Sequence, residues 1–172
     1  MEGEDQRGFV TEAPSPIREY HHTDRDAVVA LSLRAWAPVF DSMRRVLGDG
    51  IFAEIYGEDW RLRQSAAVGD VLDDDAMRIW VAEEGGEVSG FVAAVMRSQR
   101  VGEIEMLAVD PEAANRGLGT RLTGVGTAWL REQGARLAVI GTGGDPGHAP
   151  ARRVYEKAGY TGLPLARYYR TL

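Results

Sequence analysis

Apolar residues recur along this chain with two different periods, and the change from one to the other divides it. Asp24 is placed as a helix N-cap, and Ala27, Val28, Leu31 and Ala35 behind it share one helix face. Pro38 is expected to break or restart that helix. From Val39 to about Leu72 the pattern stays helical, interrupted at Gly48, Gly50, Gly57 and Gly69. Its apolar stripe is Phe40, Phe52, Tyr56, Trp60 and Leu62. At Arg78 the period shortens. RIWVAEEGGEVSGFVAAVM reads as two strands around Gly85-Gly86, a two-residue hairpin turn.

A further strand covers 103–109, and a helix covers 119–133, ended by Gly134. Gly124 and Gly126 inside that helix each cost about 1 kcal/mol relative to alanine, which suggests close packing on a sheet. Residues 137–142 read as a buried strand, GGDPGH as a loop, and 149–158 as a short helix with Pro150 in its first turn. Gly159 stops it, and 160–172 read as one or two closing strands. At the other end, 17–22 is a first strand, and 1–16, acidic and polar with two prolines, is a loose tail. No internal repeat is visible, so 17–172 is expected to be one domain.

Composition narrows the class. A chain of 172 residues suits one domain with a sizeable core. No apolar run approaches the roughly 18 residues of a membrane helix or is placed like a signal peptide, so no membrane partner is expected. A net charge of −6 disfavours a nucleic acid partner, which needs a concentrated basic surface. The chain has no cysteine, which excludes disulfides, thiolate metal sites and a cysteine nucleophile, and suits a reducing cytoplasm.

The candidate chemistry centres on VDPEAANRGLGTRL, residues 109–122, where a strand ends, Pro111 turns the chain, and Gly-x-Gly opens a helix. The dinucleotide fingerprint needs a third glycine where Leu122 stands, and the triphosphate loop needs Gly-Lys-Ser/Thr where Arg121 and Leu122 do not supply it. A plain strand-to-helix turn is the simple alternative. With Arg116 at the mouth, free N–H groups at a helix start also suit an anion.

This stretch resembles the coenzyme A-binding motif of the GCN5-related N-acetyltransferases, Gln/Arg-x-x-Gly-x-Gly/Ala. ARRVYEKAGY, residues 151–160, looks like the second signature of the same family, in the right order and spacing. Two departures stand out. Ala114 occupies the first motif position, with Arg116 as a replacement contact, and His148 stands where an asparagine often precedes the second signature.

The resemblance implies an α/β (α+β) fold with a central mixed, mostly antiparallel twisted sheet flanked by helices. It implies acetyl-CoA as cosubstrate, its pyrophosphate on Arg116, Gly117, Leu118, Gly119 and Thr120 and its pantetheine along Leu107, Ala108 and Val109. The implied reaction is acetyl transfer to a primary amine of a small molecule by direct attack, with no metal. A protein lysine or α-amino acceptor, or a non-catalytic acyl-CoA sensor, are the alternatives. Dimers are common in the family, so a homodimer is compatible with the resemblance.

Direct attack needs a proton acceptor for the amine and a proton donor for the thiolate. Glu103 and Glu105, two apart on a strand, share one face; read alone they are a solvated face or proton acceptors. The resemblance favours Glu103, six residues before Val109, where histone-type members carry their catalytic glutamate. Glu105 or a water chain are the alternatives. Tyr155 matches the family's general acid, with a phenol ordinarily near pKa 10. Arg152, Arg153 and Lys157 form a basic face that is solvated or reaches the coenzyme's 3′-phosphate. His148 is a helix cap or a cofactor contact, and His21 and His22 lack a third ligand for a metal. Among Trp36, Phe40, Tyr56 and Trp60, core packing is expected, with some lining an acceptor pocket.

Overall fold

The computed structural model describes residues 15–172, so most of the expected tail lies outside it. Ser15 and Pro16 are not loose. The Ser15 carbonyl accepts from Arg121 Nη2 at 2.6 Å, and the Pro16 carbonyl accepts from the Glu83 N–H at 3.0 Å.

Five strands form one sheet in sequence order: β1 (Ile17–Glu19), β2 (Arg78–Glu84), β3 (Glu87–Met96), β4 (Val101–Val109) and β5 (Leu137–Ile140). Neighbours are antiparallel except β4 and β5, which are parallel. The mixed, mostly antiparallel sheet and the Gly85-Gly86 hairpin agree with the expectation. The parallel pair needs a crossover connection, and α3 (Leu118–Glu132) supplies it. On the opposite face lie α1 (Arg25–Tyr56) and α2 (Trp60–Asp73); α4 (Ala149–Lys157) follows β5.

Two apolar cores result, one on each face of the sheet. Val28 and Leu31 of α1, and Val68, Val71 and Leu72 of α2, pack on Val81, Phe91, Ala93 and Ala108. Leu118, Leu122 and Leu130 of α3 pack on Ala82, Val92, Ala94 and Ile104. Gly126 lies against the sheet, where an added Cβ would meet Val92 Cγ2 at 3.3 Å, whereas Gly124 faces open space. Close packing therefore accounts for only one of these two glycines. Phe91 is fully buried and meets Trp36 edge-on, with ring centroids 6.4 Å apart. Phe91→Ala is expected to lower stability by about 3–5 kcal/mol, read as a lower denaturant midpoint with an unchanged slope.

Several expectations change. The first strand stops at Glu19. Asp24 occupies the N-cap position of α1 without a side-chain cap, because its carboxylate is taken by Arg18 and the His21 N–H. Pro38 stays inside α1; the break falls at Gly48, one of the expected interruptions, whose φ of 75° and ψ of 160° suit glycine alone. Leu62 is 73% exposed and leaves the stripe, while Phe40, Phe52, Tyr56 and Trp60 form an aromatic cluster between α1 and α2. Leu137 and Val139 of β5 are exposed rather than buried. Residues 160–172 form no strand; Tyr160 is held by a 2.7 Å hydrogen bond between its hydroxyl and Thr127 Oγ1.

Candidate functional site

The site starts with an extra residue. In the β3–β4 ladder Ala93 pairs with Met106 and Ala94 with Ile104, which leaves Glu105 unpaired as a bulge. A bulge shifts the side-chain alternation by one. Ile104, Leu107 and Val109 thus point toward α3, while Met106 and Ala108 point toward α1 and α2. The β4–β5 pairing, which joins Val101 to Leu137 and ends with Ile104 and Ile140, stops where the bulge begins. Beyond it the two strands part.

A cleft of about 510 Å³ occupies the gap. One wall is the strand from Glu105 to Val109, and the other is Gly141 and Thr142 beyond β5. Gly117, Leu118, Gly119 and Thr120 close one end, and Tyr155 of α4 lines the cleft as well. Trp36, Pro38 and Val39 of α1 cover it. Of the aromatic residues in the helical half, only Trp36 lines the cleft.

The α3 N-terminus is built for an anion. Gly117 adopts φ 78°, a left-handed turn that reverses the chain into the helix. The first helical bond runs from the Arg121 N–H to the Gly117 carbonyl at 3.1 Å. The N–H groups of Leu118, Gly119 and Thr120 therefore precede any helical acceptor and stand at the positive end of the helix dipole. Arg116 does not line the cleft; it hydrogen-bonds Glu84 at 2.5 Å. Pro111–Ala113 form a single 3-10 turn ahead of α3, capped by Asp110, which accepts from the Glu112 N–H at 3.0 Å. Burial would raise the Asp110 carboxyl. The Glu112 N–H and the Arg34 guanidinium, whose Nη2 lies 2.6 Å away, hold it below the usual carboxylate range.

Glu103 and Glu105 do share a face, and Arg97 at the end of β3 forks between them. Its Nε donates to Glu103 Oε2 at 2.6 Å and its Nη2 donates to Glu105 Oε2. Only Glu105 lines the cleft. Leu107, Ala108 and Val109 line it directly. Tyr155 is half-buried, and that burial, with the neighbouring Tyr160 phenol, pushes its pKa up to about 12. The phenol therefore stays protonated, as a donor, across the physiological range. Arg153 and Lys157 border the cleft, whereas Arg152 turns away and donates to the Gly143 and Asp145 carbonyls at 2.5 and 3.0 Å.

Sequence reasoning missed a polar group on the α1 side. Asp145 accepts from Ser42 Oγ at 2.7 Å and from the Gly147 N–H at 3.0 Å, and it pairs with His148 Nδ1. Burial would raise the Asp145 carboxyl, but the Ser42 and His148 hydrogen bonds hold it below the usual range. His148 stands at the N-cap position of α4 yet makes no cap with its side chain, so the cap reading does not apply. The spacing from Asp145 to His148 was visible in the sequence; Ser42, more than a hundred positions earlier, was not.

Comparison with known proteins adds a family and a fold. The model of the Acetyltransferase (GNAT) family matches residues 48–160. A mycothiol acetyltransferase of Amycolatopsis mediterranei is 31% identical over 153 residues, spanning 80% of this chain and 43% of the relative. Another, of Sanguibacter keddieii, is 34% identical over 139 residues, spanning 76% and 44%. The chain thus spans less than half the length of these relatives. Among solved structures, the aminoglycoside N-acetyltransferase AAC(6')-Iy in complex with CoA superposes with a TM-score of 0.64 at 19% identity, covering 95% of this chain and 99% of that one. A putative acetyltransferase of the GNAT family from Desulfovibrio desulfuricans gives 0.62 at 21%, covering 88% and 87%. At these identities the structural likeness shows the fold.

Proposed function

Because this chain belongs to the GCN5-related N-acetyltransferase family, we propose that it transfers an acetyl group from acetyl-CoA to a primary amine of a small molecule by direct attack. The carrying observation is the continuous cleft between the parted β4 and β5. It joins the free N–H groups of Leu118, Gly119 and Thr120 to Tyr155. That layout fits the donor. A diphosphate matches the helix N-terminus, and an extended pantetheine amide chain matches the unpaired edge of Leu107, Ala108 and Val109 beyond the bulge.

Acetyl-CoA supplies the activated acyl group, and the residues of this chain do the rest. Helix α1 and its Trp36 cover the cleft and exclude water. Glu105 is the strand carboxylate on the cleft, and its charge draws in the acceptor as an ammonium; Glu103 braces it through the shared Arg97. Once the amine has attacked and the C–S bond breaks, Tyr155 gives its proton to the leaving thiolate. Tyr155 recovers one from the nitrogen of the new amide. The relatives at 31% and 34% identity are named for mycothiol, a small molecule, which supports that class over a protein lysine or α-amino group.

Coenzyme A release measured over a panel of small amines, lysine peptides and peptides with a free α-amino group tests the reading. Turnover with at least one small amine, and little with either kind of peptide, is the expected result. Tight acetyl-CoA binding without turnover on any amine would make the protein a binder, not an enzyme.

A further inference from the structure

We propose that His148, held by Asp145, is the group that takes the proton from the acceptor's ammonium. This rests on the acetyl-transfer reading and deepens it. His148 Nδ1 meets Asp145 Oδ1, and since an ionised carboxylate only accepts, Nδ1 carries the hydrogen. The ring's remaining lone pair is then on Nε2, which has no hydrogen-bond partner among the described residues. His148 is one of the residues that line the cleft. This is the arrangement a histidine base needs: one nitrogen fixed by a carboxylate, the other free toward the reactant.

The surroundings are shaped to hold it there. Asp145 is fixed by Ser42 of α1 and by the Gly147 N–H, so the dyad ties the loop after β5 to the helix that covers the cleft. A Cβ at Gly143 would lie 2.6 Å from His148 Cε1 and 2.7 Å from Asp145 Oδ1; one at Gly147 would lie 2.5 Å from Ser42 Cβ. Glycine at 143 therefore leaves room for the imidazole, and glycine at 147 leaves room for Ser42 to reach Asp145. His148, Ala151 and Tyr155 follow one another at i, i+3 and i+7 and all line the cleft, so proton acceptor and proton donor share one face of α4. By contrast, an oxygen of each strand carboxylate is already engaged by Arg97.

The protons balance. His148 Nε2 takes one from the ammonium, and the neutral amine attacks the thioester carbonyl. The C–S bond breaks, and Tyr155 protonates the thiolate and is reprotonated from the amide nitrogen. His148 then releases its proton to solvent. The charged and titratable groups around His148 are Asp145 on its own loop, Arg152, Arg153, Tyr155 and Lys157 on α4, and Glu105 across the cleft, with Tyr56 of α1 behind Asp145. Of these, Asp145 is the group hydrogen-bonded to the ring.

The test follows kcat across pH with whichever amine turns over best. His148→Ala is expected to lose at least about 100-fold in kcat with the KM for acetyl-CoA within about 3-fold, and added imidazole is expected to restore part of the rate. His148→Asn, which keeps a polar side chain, is expected to lose as much. Asp145→Asn removes the carboxylate that holds the hydrogen on Nδ1, so kcat is expected to fall at least about 10-fold with the KM for acetyl-CoA again within about 3-fold. An active His148→Ala, an Asp145→Asn with the wild-type kcat, or a His148→Asn that keeps full rate would each overturn the assignment. Wild-type protein that releases no coenzyme A with any amine would instead overturn the acetyl-transfer reading beneath it.

Discussion

Replacing Tyr155 by Phe is expected to lower kcat on the order of 100-fold while leaving acetyl-CoA binding almost unchanged. The substitution removes one oxygen from a half-buried ring and keeps its packing in the cleft. What disappears is the proton for the thiolate. Burial first, and Tyr160 second, place the phenol at about 12, so it is protonated at every pH where the protein would be assayed. Tyr155 thus contributes no limb to the neutral part of the profile, and the variant's curve should drop in height without changing shape. The sign of the linkage gives a second readout. The folded-state pKa is raised above the ordinary value of 10.0, so the associated stability is fully present below pH 10 and is lost as pH rises toward 12. Denaturant unfolding across that window should show the loss in the wild type and a smaller one in Tyr155→Phe. A kcat within a few-fold of wild type would assign the tyrosine to packing alone.

Gly119→Asp is expected to weaken acetyl-CoA binding by about 100-fold or more, since like charges brought together cost several kcal/mol. Gly119 is the second residue of α3, where unpaired N–H groups and the helix dipole favour a negative ligand. An aspartate there offers those donors an internal anion and repels the diphosphate. Bulk contributes less: an added Cβ would meet Val154 Cγ2 at 3.3 Å, close enough to require a small shift of α4. Gly119→Asn carries nearly the same bulk without the charge and should lose far less, and the aspartate's deficit should shrink as salt rises. Calorimetric titration with acetyl-CoA reads all three. Equal losses in the two variants would trace the effect to packing and remove the diphosphate from the helix start.

Much of this was legible locally. The Gly85-Gly86 hairpin, the helix after Gly117 and the short helix before Gly159 each depend on residues a few positions apart. Glu103 and Glu105 could be put on one face because strand alternation needs no partner. The misreadings share a cause. Pro38 looked like a break, but losing one backbone hydrogen bond is tolerated where the helix face packs on the sheet, and the chain turned at Gly48 instead. Leu62 looked like core by its period, yet α2 presents another face to α1. Residues 160–172 carried strand-like composition and found no ladder to join.

By itself, then, the sequence determined most of the helices and the central strands, where the two family signatures fall, and hence the class of donor, since turns, caps and periods are set by near neighbours. The tertiary structure alone decided which side chains meet. The β3–β4 register placed the bulge at Glu105 and parted β4 from β5. The packing of α1 on the loop after β5 brought Ser42 to Asp145 and fixed His148 in the cleft. Those contacts depend on how distant segments align across the sheet, and no spacing along the chain encodes that alignment.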